Sequence, residues 1–211
     1  MRFDIKCATF VRLASICSFF EPSTQQEFRD KLNTVRLEIV NGRVLAIATN
    51  IKIAAIESVG FTMPGEYGVA HVILDPALIA QCKYESNMDG TLTINTIPEA
   101  ALGMAQTSSG WMMPGNACYW FDETPLNDWR KWAPDEVEKK STGIMVWNAF
   151  HVQSLVESSP TGKVVFPEFI HVKKPVVLRD KNNENWVGLF IPSVTNTDNQ
   201  KVPAELPDWW D

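Results

Sequence analysis

Two periods alternate along the chain. Some stretches repeat apolar residues at every second position, as a strand with one buried face does. Between them lie windows in which apolar residues recur at i, i+3 and i+4, as on one face of a helix. Residues 143–148 read as a strand and 150–158 as a helix, with Val152, Leu155 and Val156 in one stripe. Ser158-Ser159-Pro160-Thr161-Gly162 stops that helix, because proline cannot continue it and glycine suits the exit. Residues 163–171, 175–180 and 186–194 then read as three strands rich in Val, Ile, Phe and Trp, with turns at 173–174 and 181–185. A strand–helix–three-strand unit cannot bury both its helix and its sheet alone. It needs a partner of its own kind.

The same plan recurs upstream. Residues 2–8 alternate with Phe3, Ile5 and Cys7 on one side, and 9–20 are helical with Phe10, Leu13, Ala14 and Cys17 in one stripe. A polar connection (23–31) leads to the alternation of Val35, Leu37 and Ile39. Asn41-Gly42 is a strong hairpin signal, since both positions tolerate positive φ, and strands at 43–49 and 51–59 follow. A second copy starts with a strand at 67–74 and a helix capped by Asp75-Pro76, with Leu78, Ile79 and Cys82 as its stripe. Asp89-Gly90 is expected to turn between strands, and 91–97, 100–107 and 111–113 are the three strands. Pro114-Gly115-Asn116 marks a boundary. Beyond it, 117–122 read as a strand, 125–132 as a short helix and 133–142 as a charged stretch without strand signal, so this unit is shortened. The predicted organisation is a domain over 1–115, a second over 116–196 and an acidic aromatic tail over 197–211. Antiparallel sheets lie on one side and helices on the other, an α+β architecture of repeated βαβββ units.

Composition narrows the function. Of 211 residues 45% are hydrophobic and 21% charged, which supports an ordinary globular core. The net charge of −6 argues against a nonspecific nucleic-acid coat but not against a local basic surface. The four cysteines are widely spaced and read as free thiols in a reducing compartment. Asp4 and Arg12 interrupt the apolar start, and no small-x-small site follows it, so it is not read as a signal peptide. No apolar run reaches the length of a membrane span. His71, His151 and His171 are too scattered for a local metal motif. Glu168 and His171, three apart in a predicted strand, point to opposite faces. No nucleophile elbow, phosphate-cradling glycine loop or HExxH occurs, so no catalytic residue, metal or cofactor is expected. Trp129 and Trp132 read as a helix core face, with base stacking as the alternative.

Three segments carry a resemblance. Val44 to Ala55 reads V-L-A-I-A-T-N-I-K-I-A-A, Gly188-Leu189-Phe190-Ile191-Pro192 ends hydrophobic-then-proline, and Pro175-Val176-Val177-Leu178 precedes that last strand. With the paired βαβββ units, these resemble DNA polymerase sliding clamps of the two-domain phage type. The usual Asp-Gly-His-Arg is replaced by Asn50-Ile51-Lys52-Ile53, and the third unit departs from the plan. The resemblance implies a homo-oligomeric ring around double-stranded DNA that tethers a DNA polymerase or another replication protein, in the cytoplasm (a host's, if phage-encoded). Inner helices would face phosphates with Arg12, Lys83, Arg130 and Lys131, which can equally be solvated surface. A partner pocket would be lined by Met112, Met113, Phe190, Ile191 and Pro192, which can equally be sheet-edge core.

The end of the sequence adds a second idea. Leu206-Pro207-Asp208-Trp209-Trp210 has the hydrophobic-x-x-aromatic-aromatic spacing of peptides that dock into clamp pockets, with Pro203 where a glutamine is expected. Adjacent tryptophans need cover. Either they fold back on their own sheet, or Leu206, Trp209 and Trp210 enter a pocket. Two functions follow: a sliding-clamp-like processivity factor, or a clamp-fold interaction protein that does not encircle DNA and binds a partner through this tail.

Overall fold

The structure is a computed structural model. It describes residues 2–17, 33–50, 52–62, 68–97, 102–119, 136–140, 145–146, 149–165, 176–190, 193–194 and 199–203. Side chains are described within 2–17, 33–50, 52–62, 68–96, 103–113, 149–165 and 176–190.

In the first unit the alternation sets the structure directly. β1 (Arg2–Lys6) buries Phe3 and Ile5 and exposes its three charged residues. α1 (Cys7–Cys17) follows without a break and buries Phe10, Leu13, Ala14 and Cys17, the predicted stripe, together with Ile16. β2 (Thr34–Val40) and β3 (Arg43–Thr49) form a hairpin on Asn41 and Gly42, whose φ values of 49° and 74° are those a two-residue primed turn requires. β4 (Ile53–Phe61) closes the unit. In the second unit β5 (Gly68–Ile73) leads to α2 (Pro76–Ser86). Asp75 caps that helix, accepting from Ala77 N at 2.7 Å and Leu78 N at 3.3 Å. β6 (Thr91–Ile97), β7 (Leu102–Thr107) and β8 (Met112–Tyr119) complete it.

Two turn signals act differently from the prediction. Asp89-Gly90 does not join strands; it carries α2 into β6, with Asp89 at φ 55° and Gly90 N bonded to Glu85 O at 2.9 Å. A Cβ on Gly90 would lie 2.7 Å from Glu85 Cβ, so the close approach itself requires glycine. Pro114-Gly115-Asn116 is no break either. β8 runs through it and takes in Ala117 to Tyr119, which the sequence assigned to a separate strand. Ala105 faces Met113 and Gly103 faces Asn116, so Pro114 and Gly115 stand against Met104 alone. In such a bulge the missing proline N–H costs least.

Downstream lie β9 (Glu136–Lys140), β10 (Met145–Val146), α3 (Ala149–Ser158), β11 (Val164–Val165), β12 (Val176–Asp180), β13 (Asn183–Phe190), β14 (Ser193–Val194) and β15 (Asn199–Pro203). β9 lies within the stretch predicted to carry no strand signal, and it pairs with β15, inside the predicted tail. Both sequences are polar, so a ladder of main-chain bonds forms with no apolar alternation to announce it. β13 begins at Asn183, three residues earlier than predicted, because the turn needs only Lys181 and Asn182. α3 buries His151, Leu155 and Ser158, leaving Val152 and Val156 half-buried. The predicted connection at 23–31, helix at 125–132 and turn at 173–174 lie outside the described residues.

Among the described residues, eleven strands form one antiparallel sheet in the order β1-β6-β7-β8-β5-β2-β3-β4-β13-β12-β11, with β10–β14 and β9–β15 as separate pairs. The first two units exchange strands reciprocally. β1 of the first pairs with β6 of the second, and β5 of the second pairs with β2 of the first. α1 packs against both α2 and α3. One apolar cluster joins the helices to the sheet. A second, formed by Leu45, Ile47, Ala54, Ile56, Val177, Val187 and Leu189, buries the alternate positions of β3, β4, β13 and β12, so these strands are apolar on both faces.

A polar tie recurs where each described helix meets the hairpin of its own unit. At the end of α1 the Cys17 thiol donates to Thr34 O at 3.5 Å and Thr49 O at 3.7 Å. At the end of α2 the Glu85 carboxylate accepts from Ser108 Oγ at 2.9 Å, Ser109 N at 3.2 Å and the Ser109 hydroxyl. After α3 the direction reverses. Asp180, at the end of β12, accepts from the Ser159 hydroxyl, Thr161 N at 2.8 Å and Thr161 Oγ1 at 2.7 Å. Burial alone would raise both carboxyls, but their donors outweigh it and hold each at about 2. A folded-state value below the unfolded one means that the ionised groups stabilise the fold above about pH 4.5, and that this is lost as pH falls toward 2. Glu57 acts in the opposite sense, since burial raises it. The expected result is a melting temperature that falls between pH 4.5 and 2, and falls less in Asp180→Asn. Equal slopes in the two proteins would contradict the tie at Asp180.

Candidate nucleic-acid and partner surfaces

The helical layer was expected to carry cations for phosphate. Arg12 sits on α1 with its guanidinium engaged from three sides. Nη2 donates to Glu57 Oε2 at 2.8 Å and Thr9 Oγ1 at 3.3 Å, and Nε donates to Ser158 O at 3.3 Å, a carbonyl of the last turn of α3. Its side chain is 22% exposed, against 9% for Glu57. Arg12 therefore joins α1, β4 and α3. Lys83 lies on the exposed side of α2 without a described carboxylate partner. Arg130 and Lys131 lie outside the described residues. The outward helix positions also include Tyr84 and Phe150, 64% and 62% exposed, and Glu157. The described part of this layer is thus only weakly basic.

The expected partner pocket is not assembled from its described members. Met112 is 62% exposed on β8, and Met113 packs partly against the core. Phe190 is 1% exposed at the end of β13, edge-on to the buried His151 at 6.4 Å. Strands β5, β2, β3 and β4 separate β8 from β13. Ile191, Pro192, Leu206, Trp209 and Trp210 lie outside the described residues. What the structure does join is the segments that carried the resemblance, since β13 lies between β4 and β12, and Val176 to Leu178 pair with Phe190 to Gly188. Phe190 pairs with Ile53 and Leu189 with Ala54, so the last strand lies along the one that follows Ala48-Thr49-Asn50. Asn50 shapes that turn, its Oδ1 accepting from Lys52 N and Ile53 N at 3.1 Å each.

His71 is buried opposite Arg36, and burial followed by that neighbouring charge lowers it to about 4. It is a neutral core histidine, with Nδ1 3.3 Å from Thr34 Oγ1. Among the described residues no group of three or more His, Cys, Asp or Glu could hold a metal. No described helix is long and apolar enough to cross a membrane.

One feature escaped the sequence reading. At the far end of the β4–β13 ladder a cleft of about 1140 Å³ opens between the tip of β4 and the β12–β13 turn. Arg43, Phe61, Arg179, Lys181, Asn182 and Glu184 are among its lining residues. The Arg43 guanidinium lies 5.0 Å from the centre of the Phe61 ring, and that ring is 78% exposed. Its only advance signal was an apolar Phe61 beyond the end of a predicted strand.

Several solved structures share this fold. They include the DNA polymerase sliding clamp of Pseudomonas aeruginosa, 13% identical over 91% of this chain and 66% of that one, TM-score 0.61. The sliding clamp of Bacillus subtilis is 9% identical over 93% of this chain and 65% of that one, TM-score 0.56. The DNA polymerase III beta subunit of Thermotoga maritima is 9% identical over 99% and 66%, TM-score 0.55. This chain spans just under two thirds of the length of these structures, and what it shares with them is the α+β clamp fold. No protein-family model and no curated protein matches it.

Arg12 offers a direct test of what the helical layer does. Removing one partner of a mostly buried pair leaves the other charge uncompensated. Arg12→Met should therefore cost about 2–3 kcal/mol in chemical denaturation, given the partial exposure of the pair. Adding Glu57→Gln should restore part of that. Unchanged stability in Arg12→Met would show that Arg12 does not hold these three elements together.

Proposed function

We propose that this chain is a subunit of a ring that encircles duplex DNA and tethers a polymerase during replication, acting without cofactor or chemistry of its own. The observation that carries the reading is the clamp fold itself: paired βαβββ units with reciprocally exchanged strands and a helical layer on one side. In this reading the first clamp-like half runs through the end of β8, and the second follows it. Lys83, Arg130 and Lys131 supply the phosphate-facing charge, while Arg12 holds the layer together. The polymerase surface lies where the Asn50 turn meets the end of β13, with Phe190 beneath it and Ile191-Pro192 continuing from it. The module's own symmetry suggests the closing edge. β4 and β8 hold corresponding places in the two exchanged units, and β4 accepts β13 along Ile53 to Glu57. The corresponding edge of β8 is its start at Met112 and Met113, ahead of the pairing of Cys118 and Tyr119 with β5, and a second copy would add its strand there.

A second reading keeps the fold without the ring. The net charge of −6 and the exposed Tyr84 and Phe150 on the helical side favour a clamp-fold interaction protein that binds a protein partner. One experiment separates them. Light scattering should show a closed oligomer, and the chain should be retained on nicked circular DNA and released when the circle is cut. A chain that stays monomeric, or that holds linear and circular DNA alike, overturns the ring.

A further inference from the structure

β4 and β13 stay hydrogen-bonded from the pair Ile53 and Phe190 to the pair Glu57 and Trp186, and no described pairing joins them beyond it. β4 runs on through Phe61 against β3, across an irregularity at Val44 and Leu45. β13 starts at Asn183, paired with Asp180 of β12, across another at Arg179 and Asp180. Bulges bend a strand and increase its twist, so the two irregularities part the strands into the cleft already described. We propose that this cleft binds single-stranded nucleic acid, with a base stacked on Phe61 and phosphates held by Arg43 and Lys181.

The sheet fixes the stacking surface. Arg43 and Phe61 are register partners on β3 and β4, and Thr62 N donates to Gly42 O at 2.8 Å just beyond them. The guanidinium therefore lies over the ring, 5.0 Å from its centre, while the ring stays 78% exposed. An open aromatic face can stack on a base of any identity, and a cation beside it strengthens the contact. The charges are available. Arg43 Nη1 reaches Ser58 Oγ at 3.5 Å, and neither Arg43 nor Lys181 has a carboxylate partner among the described residues. The Asp180 carboxylate next to Lys181 is already engaged by the Ser159 hydroxyl, by Thr161 and by Asn182 N at 2.9 Å. Lys163, whose carbonyl accepts from Lys181 N at 2.8 Å, brings a third cation to the same end of the sheet. Arg179 and Glu184 also line the cleft but hold partners of their own, so no ligand contact is assigned to them.

The lining favours a base over an apolar peptide side chain. Val59 packs into the core, so Phe61 is the open apolar surface. Asn182 and Asn185 add side-chain amides that make no bond among the described residues. A base needs one open face and polar groups at its edge, whereas an apolar side chain needs a second apolar wall. At about 1140 Å³ the cleft also exceeds the roughly 300–1,000 Å³ of most small-molecule pockets, which suits a stretch of strand better than one small ligand. Neither ring closure nor duplex DNA is required, so this site stands or falls separately from the proposed function.

The test uses the full chain and a fluorescent oligothymidine read by anisotropy. The chain should bind it, more weakly as salt rises. Phe61→Ala, at an exposed position where folding is not at stake, should weaken binding roughly tenfold and leave the salt dependence as it was, because it removes stacking and no charge. Lys181→Ala should reduce the slope of log affinity against log salt by about 0.7, the value for one phosphate contact on a single strand. Phe61→Ala should also leave retention on nicked circular DNA as it is in the unaltered chain, which separates this site from the ring. Absence of binding, indifference to Phe61→Ala, or an unchanged salt slope in Lys181→Ala would each overturn the proposal. So would displacement of the oligothymidine by an equal concentration of a short duplex, or of an oligoglutamate, which would assign the cleft to an acidic peptide.

Discussion

A short ladder holds this molecule together. Five residue pairs, from Ile53 and Phe190 to Glu57 and Trp186, attach β13 to β4 and make one sheet of the first two units and the last. The ladder is apolar on both faces. Ile53 and Ala55 join Trp186 and Phe190 on the helix side, and Ala54 and Ile56 join Val187 and Leu189 on the other. Each fully buried Ile, Leu or Phe there contributes roughly 1.5–3 kcal/mol. The fit is close. A Cβ on Gly188 would lie 2.6 Å from the Trp186 ring and 3.1 Å from Leu155, so Trp186 lies over the glycine and against α3. Its indole N–H finds no acceptor among the described residues, a cost of about 1–3 kcal/mol that burial of the ring must exceed. Arg12 completes the junction by bridging Glu57 of β4 and the end of α3.

The recurring module repeats in position rather than in residue identity. Each described helix is tied to the hairpin of its unit, yet a thiol does this after α1, a glutamate at the end of α2 and an aspartate from the opposite side after α3. Any donor and acceptor of suitable reach can satisfy that junction. The polar groups there must be paired because they are buried, but nothing dictates which side supplies the carboxylate. A chain can therefore preserve the architecture of the clamp structures at 9–13% identity.

Much of this was legible because local chemistry decides it. Asn41-Gly42 needs positive φ and takes it, Asp75-Pro76 caps a helix, and Phe10, Leu13, Ala14 and Cys17 fall on the buried side of theirs. The segments that resembled a clamp prove to lie on successive strands, β4, β13 and β12. The rest depended on partners distant in sequence. Nothing in Glu136–Lys140 announces a strand, because its pairing with β15 rests on main-chain groups. Pro114-Gly115 reads as punctuation, and only the register against β7 shows it to be a bulge. Arg12 read as a free surface cation because neither Glu57 nor Ser158 is near it in sequence. Sequence position does not give strand order either, and four strands stand between Met112 on β8 and Phe190 on β13. The cleft depends on two irregularities in separate ladders and has no local signature.

The account rests on β13 belonging to the same cooperative sheet as β4, and native-state hydrogen exchange reads this residue by residue. The amides bonded between β4 and β13, and those of β12, should exchange only through global unfolding. Their opening free energy should equal that of the β2–β3 hairpin and respond equally to denaturant. If β12 and β13 open at markedly lower free energy while β1 to β8 stay protected, the last unit is a separate appendage and the single-sheet account is wrong.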